Sequence, residues 1–309
     1  MSVQYQPDRS LSVLRTGTIG GFEAGRLAYG CWRFAGSSVA EATAKVEAAL
    51  QIGATMLDTA AIYGFGQQGF GGAEAVLGEV YAAHKGLRER TILVTKAGIH
   101  PPVPYDSRAS NLIESCEGSL ARLRSDTIDV FLIHRPDLLA SFDEVAAALA
   151  QLRRDGKIRE AGVSNFSHTQ LRALQAKLDF PLVATQPEFS PLAIDPLEDG
   201  TLDVAQEFGL ATMAWSPLGG GRLTAAHQPE AGTQEARVLS VLDAIATREG
   251  VDVDHVALAW VLAHPANVFA LIGTQNVDRI RASARAFDVK LSRQDWYDVL
   301  VAARGVSMP

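Results

Sequence analysis

TMLDTA at 55–60, TILVTKAG at 91–98 and IDVFLIHRP at 128–136 are three short apolar runs, and each carries a polar side chain at or near its C-terminal end: Asp58, Lys96 and His134. Asp58 and Lys96 lie 38 residues apart, and Lys96 and His134 are again 38 apart. An acid, a base and an imidazole at the ends of consecutive strands point to one active site on a repeating strand-helix scaffold. Tyr63, five residues after Asp58, adds a phenol.

Outward from these runs, strand and helix patterns alternate. The other strand candidates are LAYGCW (27–32), IREAGVSN (158–165), LVATQPEF (182–189), ATMAWS (211–216) and VFALIGT (268–274). Several are almost continuously apolar, as strands buried on both faces are. Helix candidates lie between them. Residues 39–52 repeat apolar positions at helical spacing. Residues 142–157 follow Ser141, a candidate N-cap with Glu144 at the capping-box position, and end at Gly156 as a candidate C-cap. A further helix follows Ser167, and another covers 238–250. Eight strands with intervening helices predict a (β/α)8 barrel of parallel strands with a short N-terminal extension, forming a single domain over 1–309. A doubly wound open sheet is the competing architecture, and the regular first five steps suit the barrel better. The spacing breaks between Trp215 and Gly273, where SPLGGGRLTAAHQPEAGTQ (216–234) adds a long loop. Such loops in compact domains are usually functional or mobile. Ahead of the first barrel strand, TIGGFEAG (18–25) reads as a hairpin across the barrel floor.

Composition sets limits. A hydrophobic fraction of 47% and a charged fraction of 20% are those of a soluble globular protein. A net charge of −7 argues against a nucleic-acid or anionic-membrane surface. The chain has no apolar stretch long enough to span a membrane and no signal-peptide core in MSVQYQPDRS, so a cytoplasmic location is expected. Cys31 and Cys116 are too few for a disulfide scaffold, and neither has a metal-binding spacing, so no metal is expected.

Gly64, Gly66 and Gly69 spell a literal G-x-G-x-x-G between a strand and a helix. A dinucleotide-binding open sheet would end its next strand in an acid that holds the ribose, whereas here that strand ends in Lys96. The preferred reading is a glycine-rich loop that lets Tyr63 reach the site.

The chemistry of the four side chains is coherent. A free phenol titrates near ~10, and a neighbouring ammonium lowers that value. Lys96 therefore stands to draw Tyr63 toward useful acidity, with Asp58 as the counter-charge of the lysine. A neutral His134 can orient a carbonyl oxygen. The set suits protonation of an oxygen whose carbon receives a hydride, or the reverse, with Tyr63 as general acid/base. Each residue alone also has a structural reading: a buried ion pair, a strand cap, a packing tyrosine. Their shared position at strand ends favours catalysis.

The segments LDTAAIYG (57–64), VTKAG (94–98), DVFLIHRPD (129–137), GKIREAGVSNF (156–166), ATQPEF (184–189), MAWSPLGGGRL (213–223) and ALIGTQNVDRI (270–280) together make the chain resemble the aldo-keto reductases over nearly its whole length. Within that superfamily it is most similar to the bacterial YdhF-type oxidoreductases. The resemblance implies a barrel that binds NADPH without a Rossmann domain, and Asp58, Tyr63, Lys96 and His134 as a catalytic tetrad. It implies that Ser164, Asn165 and Gln186 hold the nicotinamide carboxamide and that Trp215 stacks on the ring, where many members have tyrosine. Ser216, Leu218 and Gly220 fall where the pyrophosphate is wrapped, with Arg222 as an added charge. Gly273, Thr274 and Arg279 fall at the adenosine 2′-phosphate. Two departures stand out: Thr185 replaces a common asparagine, and Gly273 stands where NADPH-preferring members often carry lysine. That leaves Arg279 as the main cation there. On the substrate side, Trp32 aligns with a pocket position, and Tyr105 in HPPVPYDSR (100–108) offers a wall. These aromatics suggest an aldehyde or ketone with an apolar part.

Three functions stay open at this level. The preferred one is an NADPH-dependent reductase of a small-molecule carbonyl, with no nucleic-acid or membrane partner and no readable oligomeric state. The others are a Schiff-base enzyme using Lys96, and a cofactor-sensing binding subunit, against which the absence of a long N-terminal extension counts.

Overall fold

The computed structural model describes residues 10–11 and 13–308. Of the N-terminal extension, residues 1–9 and 12 lie outside the described residues, as does residue 309. A hairpin comes first, β1 (Thr16–Ile19) paired antiparallel with β2 (Phe22–Gly25), as TIGGFEAG suggests. Eight parallel strands then close into a barrel: β3 (Leu27–Gly30), β4 (Met56–Asp58), β5 (Ile92–Ala97), β6 (Ile128–Ile133), β7 (Ile158–Ser164), β8 (Ala184–Gln186), β9 (Ala211–Ala214) and β10 (Val268–Ile272), with β10 pairing back onto β3. The barrel therefore replaces the open-sheet alternative, and all eight strand candidates are found. The helices pack outside it: α1 (Val39–Gln51), α2 (Gly72–Ala83), α3 (Ala109–Leu123), α4 (Phe142–Arg154), α5 (His168–Gln175), α6 (Thr201–Phe208), α7 (Gln234–Glu249), α8 (Val253–Leu262), α9 (Val277–Ala282) and α10 (Arg293–Arg304).

Strand side chains alternate faces, so one parity fills the barrel. Met56, Val94, Val130, Leu132, Ala184, Met213 and Phe269 form that interior cluster, and the hairpin plugs it with Ile19 and Phe22. Each such fully buried large side chain contributes about 1.5–3 kcal/mol. The same parity, carried one residue pair further, turns Asp58, Lys96, His134, Gln186 and Trp215 toward the C-terminal mouth. The register adds a stagger: Asp58 pairs with Val94, two residues before Lys96, and Lys96 pairs with Leu132, two before His134. This is the tilt that closing a barrel requires.

The opposite parity anchors the wall. Thr95 points outward and donates from Oγ1 to the fully buried Glu74 of α2 (2.5 Å), which Arg122 of α3 also grips (2.7 Å). The capping box expected at Ser141 does not form. Glu144 reaches instead to the backbone N–H of Ala109, so it caps α3 rather than its own helix. Helix α7 starts earlier than expected because Thr233 caps it, accepting from Ala236 N–H.

Candidate active site

Lys96 occupies the centre of the mouth, with no solvent exposure. Its ammonium has three N–H donors, and all three are committed: to Asp58 Oδ2 at 2.7 Å, to Thr59 O at 2.8 Å and to Tyr63 Oη at 3.2 Å. Tyr63 Oη accepts from lysine, so its own proton stays available; among the described residues nothing accepts it. The Tyr63 and His134 rings meet edge-on, with centroids 5.7 Å apart and planes at 81°. Gln186 Nε2 donates to the other Asp58 oxygen, Oδ1, at 2.9 Å.

The electrostatics follow from burial and from these partners. Burial pushes the Tyr63 phenol above its ordinary value, and the pull of Lys96 only partly offsets it. The lowering expected from sequence is thus overridden by desolvation, and the group is held protonated. Burial opposes the Lys96 charge, but Asp58 and Tyr63 outweigh it and the ammonium is raised. Burial, then the charges of Lys96 and Arg135, hold His134 well below the usual imidazole range, so it is neutral at pH 7. Its Nδ1 is buried without a partner. That leaves Nε2 as the nitrogen able to meet a ligand; with Nε2 protonated, the imidazole is a donor.

A hydrogen-bond chain joins this cluster to the neighbouring strands. Trp215 Nε1 donates to Asn165 Oδ1 (3.0 Å), Asn165 Nδ2 to Ser164 Oγ (2.8 Å), and Ser164 Oγ to Gln186 O (3.0 Å). Asn165 also reaches His134 O at 3.3 Å. Its backbone sits at φ 58°, a left-handed conformation that asparagine tolerates. Gln186 is therefore not wholly free for a ligand: its amide N–H is shared with Asp58, and its Oε1 is left over.

Past Trp215 the chain turns sharply, with Ser216 at φ 50° and Gly219, Gly220 and Gly221 all at positive φ. The backbone N–H groups of Ser216 and Leu218 have no partner among the described residues. Arg222 is committed elsewhere, to Gly219 O (2.7 Å) and Glu235 (2.6 Å), so it is not a free cation as the sequence suggested. Arg279 is exposed on α9, with its backbone N–H on Asn276 Oδ1.

Two cations near Gly273 and Thr274 escaped the sequence reading. Arg33 Nη1 donates to Gly273 O at 3.0 Å and would lie 3.6 Å from a Cβ at Gly273. Lys45, 8% exposed, donates to Gln275 Oε1 at 2.9 Å and has no carboxylate partner among the described residues. Barrel closure between β10 and β3 brings these residues together across more than 200 positions of sequence, which no local pattern signals. Trp32 and Tyr105 lie on the same rim but are exposed, Trp32 under the Arg33 guanidinium at 4.7 Å.

The loop carrying Gly64, Gly66 and Gly69 bonds to itself: Phe65, Gln67 and Gly69 N–H groups go to Ile62 and Gly64 carbonyls. A Cβ on Gly64 would lie 2.7 Å from Gly69 O, so glycine is required for this tight turn rather than for a phosphate. The loop delivers Tyr63. Among the described residues, one group could hold a metal by spacing, Asp252, Asp254 and His255 at the start of α8, far in sequence from these groups.

Residues 26–300 match the Aldo/keto reductase family. The chain is 50% identical over 292 residues to the 6-dehydroglucose reductase of Novosphingobium aromaticivorans, covering 94% of this chain and 95% of that protein. It is 37% identical over 298 residues to the oxidoreductase YdhF of Escherichia coli, covering 94% and 97%. The structure of the glycerol dehydrogenase from Gluconobacter oxydans superposes with a TM-score of 0.84 at 26% identity, over 96% of this chain and 98% of that one.

Proposed function

The chain belongs to the aldo/keto reductase family of nicotinamide-dependent oxidoreductases, and from that premise we propose that it reduces a polyhydroxylated aldehyde to the alcohol with NADPH. The observation that carries the chemistry is the full commitment of Lys96. With all three ammonium donors used, one of them on Tyr63 Oη, and no acceptor for the phenolic proton among the described residues, that proton is left for a ligand.

The residues present fit a nicotinamide dinucleotide. Trp215 offers a half-buried indole face for stacking, and Ser164, Asn165 and Gln186 Oε1 line the adjoining wall for the carboxamide. The unpaired N–H groups of Ser216 and Leu218, with Gly220 in the same turn, suit an anionic pyrophosphate. Arg33, beside Gly273 and Thr274, and Arg279 supply the positive charge that favours the 2′-phosphate of NADPH, with guanidinium geometry suited to phosphate. When bound, the reduced nicotinamide supplies a hydride to the carbonyl carbon.

The rest is done by this chain. His134 Nε2 and Tyr63 Oη hold the carbonyl oxygen, and Tyr63 gives it a proton as charge develops there. Lys96 stabilises the phenolate that results, and Asp58 keeps the ammonium charged in a buried site. The 50% identical relative is described as acting on 6-dehydroglucose, which is an aldehyde on a polyol, and the mouth offers half-buried charged groups for hydroxyls.

The test is direct. Absorbance at 340 nm is followed with NADPH and either 6-dehydroglucose or benzaldehyde, and tryptophan fluorescence is titrated with NADPH and NADH in parallel. Higher kcat/KM on the sugar aldehyde and tighter NADPH binding are expected. Preference for benzaldehyde refutes the substrate class, and preference for NADH refutes the cofactor.

A further inference from the structure

We propose that Arg135 is the residue that recognises the hydroxyl groups of the substrate, and so sets the preference for polyhydroxylated over apolar aldehydes; this rests on the aldehyde-reductase reading above. Arg135 directly follows His134 and is half-buried at the barrel mouth. Its guanidinium lies 6.0 Å from the centroid of Trp215. Among the described residues it makes no ion pair, and none of its five N–H donors has an acceptor, although a partly desolvated charge normally finds one. A ligand that brings oxygen acceptors satisfies that deficit.

Glu188 says which kind of ligand. It pairs in register with Trp215, so both side chains share one face, and by strand parity this is the face of Gln186, turned to the mouth. Glu188 is also half-buried, and its carboxylate has no hydrogen-bond donor or ion-pair partner among the described residues. Burial pushes its carboxyl up, with Arg222 and then Arg135 pulling it back, so the two charges sense one another without closing into a pair. A mouth with one free guanidinium and one free carboxylate is close to neutral. Glu188 offsets the attraction that Arg135 alone would have for a carboxylate-bearing substrate, and the two together match hydroxyls, which both accept and donate. A guanidinium hydrogen bond to a neutral oxygen is worth enough to change selectivity about 10- to 100-fold.

The experiment compares D-glyceraldehyde, butyraldehyde and glyoxylate as substrates of the parent enzyme and of Arg135→Leu, with NADPH affinity measured by tryptophan fluorescence. The parent should prefer glyceraldehyde over butyraldehyde. In the variant that ratio of kcat/KM should fall about 10-fold or more, through a raised KM for glyceraldehyde, while the NADPH Kd stays put. A parent with no preference for glyceraldehyde refutes the substrate class beneath the proposal. A preference that survives in the variant refutes the role of Arg135 alone. Equal losses on both aldehydes with weakened NADPH binding mean that Arg135 only props Trp215, and overturn the proposal. A parent preference for glyoxylate that the variant loses would make the ligand an anion and overturn the hydroxyl assignment.

Discussion

Replacing Lys96 by methionine removes one charge from the most enclosed ion pair of the mouth. Lys96 is wholly buried and Asp58 is 3% exposed, and their 2.7 Å contact is the only ion pair of either among the described residues. Removing one partner of a buried pair costs about 3–5 kcal/mol, because the other charge is left uncompensated. Gln186 still donates to Asp58 Oδ1 in the variant, so the lower end, about 3 kcal/mol, is expected. Activity falls for a different reason. Tyr63 loses the only donor to its oxygen and the only neighbour that eases its ionisation among the described residues, which forfeits most of the 10²- to 10⁴-fold contribution of general acid catalysis. The two effects separate in the double variant Lys96→Met/Asp58→Asn, which has no stranded charge. Urea unfolding should show the single variant destabilised and the double variant recovering at least about half of the loss. NADPH oxidation should be equally poor in both. A double variant no more stable than the single refutes the buried-charge reasoning, and near-parental turnover in either refutes the role of Lys96.

Other expectations follow from the same geometry. The rate of carbonyl reduction should be flat, within ~3-fold, from about pH 6.5 to about pH 10, since Tyr63 is raised above 10 and His134 lies well below 6.5; a bell centred near neutrality would contradict this. His134 also bears on stability. Below 6.5 the unfolded imidazole binds a proton that the folded one refuses, so His134 makes stability fall with falling pH by up to about 1.4 kcal/mol per unit until its folded value is reached; buried His264 adds a slope of the same sign, so His134→Gln should make the slope in urea titrations shallower by the share of His134 without abolishing it. Arg33→Ala should weaken NADPH about 5-fold, the worth of an exposed charge contact, and leave NADH unchanged by fluorescence titration; equal losses would place Arg33 away from the 2′-phosphate. Gly78→Ala should destabilise α2 despite a helix-propensity gain of about 1 kcal/mol, because the new Cβ would sit 2.0 Å from Arg122 O of α3 and overpacking costs about 1–3 kcal/mol; a higher unfolding midpoint would refute that.

Most strands were legible because they are buried on both faces and read as compact apolar runs, IREAGVS with its exposed Arg159 being the exception. Asp58, Lys96 and His134 were legible because they share a parity and a period. Other features hid for physical reasons. Helix α8 is buried on all sides from His255 to Leu262, with only Asp254 partly exposed, so it has no polar stripe to give it a helical period. Helix α2 starts at a glycine in the left-handed conformation with no capping side chain, directly behind the glycine-rich loop. The grip of Gln186 on Asp58 spans 128 positions and that of Arg33 on Gly273 spans 240, distances that only a closed barrel makes short. The expected pKa of Tyr63 had the wrong net direction because the charge of Lys96 is visible in sequence and the burial of the phenol is not.

The central claim is that the Tyr63 proton is the one delivered to substrate. Tyr63→Phe deletes one oxygen and keeps the ring packed against His134. Single-turnover oxidation of bound NADPH by 6-dehydroglucose should slow at least about 100-fold, with the NADPH Kd unchanged. Turnover within about threefold of the parent, with cofactor bound as tightly, would contradict the account.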